Sequence, residues 1–378
     1  MATIYLDCNA TTTLEEPVRE VLLQHLSEEF GNEGSRTHEY GLRARKAIQT
    51  ARTHVASLVA ASREDVVFTS GATESNNLAI LGLRAAATRL NKPHFITSQI
   101  EHKAVVEPFN QLEQEGFLVT RLPVGKRGWV EPSDVKDSLR PNTMLVSIMH
   151  ANNETGIKQP IQEIADVLLG HDAYFHTDAA QGFGKDLETL RNSRIDLISA
   201  SAHKIYGPQG VGALIIRKRD YQRPPLSPLL FGGSQERGLR PGTLPVALIA
   251  AFGEASKLAL ERASNRQECC LDYRKKVLDL LIPLGATLIG DQNKAMPHVL
   301  NFYFNDIDAE SLILALKDIV AISNGSACTS TSYHASHVLK AMGMTDDEAN
   351  RCVRMSWSHM TKDFDKTAFT AKLNSITI

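Results

Sequence analysis

The stretch RIDLISASAHKIYGPQGVGALII, residues 194–216, decides the fold. Two apolar, β-rich runs, RIDLISAS and VGALII, flank a turn of small residues, and that turn carries Lys204 directly after His203. Runs this continuously apolar belong to a sheet covered on both faces. A lysine at the rim of such a sheet is not ordinary loop filler.

Outward from this stretch, DVVFTS, HFITS, LVTRLP, MLVSIMH and AYFHTD repeat the pattern between about Asp65 and Arg217, with helical segments between them. The alternation implies βαβ crossovers, hence an α/β fold with a mostly parallel seven-stranded sheet. Spacing and end signals predict helices over 73–90, 103–116 and 160–170, and a long helix from 246 to about 281 stopped by Pro283. Beyond it VLNFYF and CVRMSWS read as strands, the latter alternating in and out, and AESLILALKD and YHASHVLKAMG as helices. The expected division is a large domain over 13–255 and a smaller α+β domain built from 1–12 and 256–378.

With 378 residues, 43% apolar, 22% charged and a formal net charge of -2, the chain reads as soluble and globular, without the basic stripe that would bind nucleic acid directly. No apolar run approaches the roughly 20 residues a bilayer requires, and the first residues lack a signal-peptide pattern, so a cytoplasmic, membrane-free protein is expected. Cys8, Cys269, Cys270, Cys328 and Cys352 form neither a paired ladder nor a C-x-x-C, which points to free thiols and to no metal site.

In open α/β sheets ligands gather beyond the carboxyl ends of the strands. Gly71, Ala72 and Thr73 follow one strand and open a helix, either as a phosphate cradle or as a glycine turn capped by Thr73. His102 stands at another strand-to-helix junction, as a site residue or a structural one. Asn152 and Asn153 offer amides or simply make a turn. Asp178 ends an apolar strand, where a carboxylate is costly unless something positive meets it. Lys204 ends the next; lost hydration would lower its pKa and leave amine free to form a Schiff base. An anion cradle, an acid and an amine together are what pyridoxal 5'-phosphate needs. Asp178 would face its ring nitrogen, Ser201 and His203 would donate to its phosphate, and His102 would stack on it. Residues 323–337 are rich in Ser, Thr and Gly around Cys328, a composition expected of a mobile loop bearing a reactive thiol, whereas Cys269 and Cys270 read as structural.

Several segments occur in one order along nearly the whole chain: YLDCNATTT, FGNEGSRTHEYG, FTSGATESNNLAI, EHKAV, HANNETG, HTDAAQ, SAHKIYGPQG, RPGTLPV and SNGSACTS. Through them the sequence resembles the IscS/NifS-like cysteine desulfurases, class V of the fold-type I pyridoxal-phosphate enzymes. The resemblance implies that Lys204 bonds the cofactor, Asp178 pairs with the pyridinium nitrogen, Gln181 touches the ring hydroxyl, and Ala72, Thr73, Ser201 and His203 hold the phosphate. It implies that Thr243 reaches the phosphate of a neighbouring subunit in a homodimer. Asn32, Asn153 and Arg354 would bind the carboxylate of L-cysteine, and Cys328 would carry a persulfide to an acceptor protein. A guanidinium on a strand suits that grip.

The chain departs from the family at Thr13, where proline is usual, and at Ser358, His359 and Met360, where glycine, arginine and phenylalanine are usual. Only 24 residues follow Arg354, fewer than in the members that serve iron–sulfur cluster assembly. This brings DNA phosphorothioation level with cluster assembly or tRNA thiolation as the expected pathway. The competing readings are a selenocysteine lyase or another class V aminotransferase-like enzyme on the same scaffold, and a thiol hydrolase pairing Cys328 with His334 or His337.

Overall fold

The computed structural model describes residues 3–325 and 335–376. Cys328 and His334 lie outside the described residues. In chain order the strands are β1 (Ile4–Tyr5), β2 (Val66–Thr69), β3 (His94–Ser98), β4 (Leu118–Leu122), β5 (Thr143–Ser147), β6 (Tyr174–Asp178), β7 (Leu197–Ser201) and β8 (Gly212–Ile216), then β9 (Thr287–Leu288), β10 (Val299–Tyr303), β11 (Val320–Ala321) and β12 (Val353–Ser356).

Seven of these form one sheet in the order β2-β8-β7-β6-β5-β3-β4, parallel except that β8 runs against both its neighbours. The exception has a local cause. Only residues 202–211 separate β7 from β8, and a parallel return needs a crossover of a dozen residues or more. Successive side chains point to opposite faces of a strand, and here both faces are apolar. Ile96, Val146, Ile198 and Ile215 pack in one core, while their neighbours Phe95, Leu145, Leu197 and Leu214 pack in another on the far side.

A third core gathers Leu6, Phe302, Val353, Met355, Trp357 and Phe369 around the sheet β12-β10-β9 and the short β1-β11 pair. The boundary between cores does not fall at a single point of the chain. Ala255, Leu258 and Ala259 still belong to the large sheet's core, and so do Val338, Leu339 and Met342.

Three sequence expectations are corrected. The long helix is two, Val246–Glu261 and Ala263–Leu281, because Arg262 sits at φ -110°, ψ 12° and breaks the ladder. The helix over 73–90 is also two, Ala72–Leu81 and Arg84–Arg89; the Gly82 carbonyl accepts from Ser227 N at 2.8 Å instead of continuing the helix. Finally, β12 is buried on both faces rather than alternating in and out, because its Arg354 and Ser356 side turns toward the large sheet. Among the described residues no helix is long and apolar enough to cross a membrane.

Candidate active site

A cavity of about 540 Å³ lies where the strands of the large sheet end, closed by Asn9 and Ala10 from the N-terminal segment and by Arg354 from β12. It is lined by Ala72, Thr73, His102, Asn153, Asp178, Gln181, Ser201, His203 and Lys204, so nine residues singled out from separate strand ends share one wall with Arg354.

Each is placed by its element. The helix Ala72–Leu81 begins at Gly71, whose φ of 152° is one that glycine adopts without cost, and its first residues line the cavity together with Ser201. Asp178, last residue of β6, is 5% exposed; its carboxylate accepts from Asn76 Nδ2 at 2.8 Å and from Ala180 N at 2.9 Å. Those two bonds fix its orientation. Lys204 ends the single 3₁₀ turn after β7 and donates from Nζ to the carbonyl oxygens of Asn9, at 2.5 Å, and Ala10, at 2.7 Å.

His102 caps the helix Lys103–Gln114, and its Nδ1 accepts from Ala104 N at 3.1 Å, so in the neutral ring the proton sits on Nε2. Burial pushes its pKa below the ordinary imidazole value, against the opposing pull of Asp178 and with Lys204 adding to the shift. Burial, then the Lys204 charge, takes His203 down to about 4. Both rings are neutral at pH 7. Just behind His102, Glu101 is buried and pushed up to about 8, its Oε1 accepting from Ser98 Oγ and Met149 N.

Two expected residues are not brought in. Asn32 and Thr243 are exposed and do not line the cavity; Asn32 Oδ1 accepts from Gly34 N at 2.9 Å in its own turn. Other contributors escaped the sequence reading. Asn76 lies on a helix face that shows no amphipathic stripe, and Asn9 and Ala10 act on Lys204 through backbone carbonyls that leave no side-chain trace.

The chain matches the aminotransferase class-V family over residues 4–365. It is 43% identical over 363 residues to the cysteine desulfurase IscS of Vibrio cholerae, covering 95% of this chain and 89% of that one. Among solved structures, DndA from Streptomyces lividans superposes with a TM-score of 0.82 at 45% identity, covering 92% of this chain and 98% of that one. A structure of SspA in complex with cysteine gives a TM-score of 0.82 at 37% identity, covering 94% and 98%. The chain therefore belongs to the class-V aminotransferase family, whose enzymes depend on pyridoxal phosphate. Within that family it is similar to the cysteine desulfurases.

The residues present fit that cofactor. Gln181 Oε1, Asn76 Oδ1, Asn9 Oδ1 and Arg354 Nε are buried polar atoms without a partner among the described residues, all on residues lining the cavity. Leaving such atoms dry and unpaired costs about 1–3 kcal/mol each, so the site is built around a polar occupant. Asp178 and Lys204 would hold the ring nitrogen and the aldehyde carbon, and the helix start at Ala72 the phosphate.

Proposed function

We propose that this protein removes sulfur from L-cysteine, leaving L-alanine and passing the sulfur to Cys328. The observation that carries the reading is that Lys204, Asp178 and Arg354 line one cavity. When bound, pyridoxal phosphate supplies the electron sink for cleavage at the substrate's β-carbon. The chain's own groups do the rest. Arg354 grips the carboxylate together with Asn153, whose carbonyl accepts from Arg354 Nη1. Asp178 holds a proton on the cofactor's ring nitrogen, a charge-assisted contact of roughly 1.5–3 kcal/mol. His102, neutral with its proton on Nε2, and the Lys204 amine are placed to move protons at the substrate.

The thiol of Cys328 attacks the substrate sulfur: a sulfur–sulfur bond forms, the carbon–sulfur bond breaks, and the β-carbon takes up a proton. Cysteine plus thiol becomes alanine plus persulfide, without external oxidant or reductant. The complex of SspA with cysteine supports this choice of substrate.

Thr243 is exposed in a chain whose own cavity it does not line, which supports a homodimer in which each Thr243 serves the neighbouring site. The acceptor is a protein thiol of a cytoplasmic pathway, with phosphorothioation, cluster assembly and tRNA thiolation as the alternatives, since a net charge of -2 offers little to DNA itself. Incubating the holoenzyme with cysteine and a reductant tests the function. Equal amounts of alanine and sulfide are expected, and Cys328→Ser should abolish both while retaining the cofactor. Cysteine left intact by the loaded wild type would refute the proposal.

A further inference from the structure

Arg354 is 3% exposed, and its guanidinium has five N–H donors, three of them spent on the protein. Nη1 donates to Asn153 O at 3.0 Å; Nη2 donates to Ser323 Oγ at 3.0 Å and makes an ion pair with Asp7 Oδ1. Ser323 Oγ in turn donates to Asp7 Oδ1 at 3.1 Å, closing a triangle of carboxylate, hydroxyl and guanidinium. Among the described residues Nε has no partner although it is buried, and Nη1 keeps one N–H. These are the donors left for a ligand.

Asp7 does not line the cavity. Its backbone is pinned beside Arg354 by a parallel bridge to Ser356, and Cys8 N donates to Ser356 O at 3.1 Å. Ser323 is likewise fixed, its backbone bridging Arg354 itself. Both partners are therefore rigid, and both hold the same end of the fork.

We propose that Asp7 is a positioning residue for substrate recognition: with Ser323 it clamps Nη2 of Arg354, so that the remaining Nη1 hydrogen is held in a fixed direction for the carboxylate of the incoming amino acid. A buried guanidinium held by neutral acceptors alone would be free to tilt, and a charge-assisted hydrogen bond weakens as its angle departs from linear. The inference rests on the reading of Arg354 as the group that binds the substrate's carboxylate.

The test compares holoenzyme of the wild type, Asp7→Asn and Ser323→Ala. Alanine affinity is read from the spectral change of the bound cofactor, alongside KM and kcat for cysteine. Asp7→Asn keeps the shape and removes the charge. It should weaken alanine binding about tenfold, the size of one charge-assisted contact, and raise KM for cysteine in step, with the larger part of the loss in KM rather than kcat. Ser323→Ala should move both in the same direction by a smaller factor, and Asp7→Glu should restore part of the affinity.

Unchanged alanine affinity in cofactor-loaded Asp7→Asn, whatever its thermal stability, would overturn the inference by reducing Asp7 to a structural role. If Asp7→Asn fails to fold, unchanged affinity in Ser323→Ala overturns it equally. A wild type that neither binds alanine nor consumes cysteine would instead refute the desulfurase reading, a separate result.

Discussion

The Nζ of Lys204 donates to two carbonyl oxygens, those of Asn9 and Ala10. They hold the amine at the cavity's edge. Replacing Lys204 by alanine should cut cysteine turnover at least about a thousandfold and leave alanine and sulfide undetected in single-turnover assays. Asp178→Asn keeps the Asn76 and Ala180 contacts in outline but loses the charge. It should lower kcat on the order of a hundredfold with a shifted cofactor absorption band, and an unshifted band would count against its facing the ring nitrogen. At this scale much of the site was readable from sequence. Lys204, Asp178, His102 and Gln181 stand where a strand stops, and chemistry placed there has few structural excuses. What could not be read was support delivered through backbone, as at Asn9 and Ala10, or across the fold, as from Asn76 to Asp178. Neither has a spacing to find.

Two buried histidines join the strands of the large sheet. His94 on β3 bonds Thr143 Oγ1 of β5 at 2.8 Å and Thr120 Oγ1 of β4 at 2.9 Å; His176 on β6 bonds Ser147 Oγ of β5 at 2.8 Å and Ser199 Oγ of β7 at 3.0 Å. Burial takes His94 down to about 4, with Arg140 adding to the shift, and His176 down to about 3, against an ordinary 6.5. The unfolded chain therefore binds protons that the sheet refuses, and stability present above pH 6.5 is lost as pH falls toward 4. Glu101, raised to about 8 by burial, works the opposite way, but two imidazoles outweigh one carboxyl. Denaturation midpoints should fall steadily between pH about 6.5 and 5, above the range where most carboxylates titrate; a flat profile would contradict this. Gly212 of β8 is a second constraint: a Cβ there would lie 2.6 Å from Gly71 Cα and 2.4 Å from the Ala200 carbonyl oxygen. Gly212→Ala should displace the start of the helix Ala72–Leu81 and weaken cofactor retention in equilibrium dialysis. The strands themselves were legible because both faces are apolar. The helix break at Arg262 and the double burial of β12 were not, since each depends on packing between cores that lie far apart in sequence.

Across the whole molecule the cores are tied by charge as well as by apolar contact. Glu15, 3% exposed, accepts from Arg266 Nη2 at 2.5 Å and His359 Nε2 at 2.6 Å, while the ring of Tyr206, two residues past Lys204, lies 4.7 Å from that of His359 and 4.9 Å beneath Arg266. Burial alone would raise the Glu15 pKa, yet His359 and Arg266 hold it below its usual range. The unusual His359 thus serves this tie behind the lysine turn. Arg266→Met leaves the buried Glu15 carboxylate to His359 and should cost about 1.5–3 kcal/mol in urea unfolding, the size of one hydrogen bond to a charged group; a loss under about 0.5 kcal/mol would show the tie to be idle. The proposed homodimer predicts twice the chain mass by light scattering.

The central claim is that the amine at position 204, and no other, bonds the cofactor. The rival lysine is Lys185, which burial takes down to about 8 and which contacts His298 Nε2 at 3.1 Å, away from the cavity's lining residues. Borohydride reduction of the holoenzyme followed by peptide mass spectrometry decides between them: a pyridoxyl group on Lys204 is predicted, and a label on Lys185, or none at all, would contradict the account.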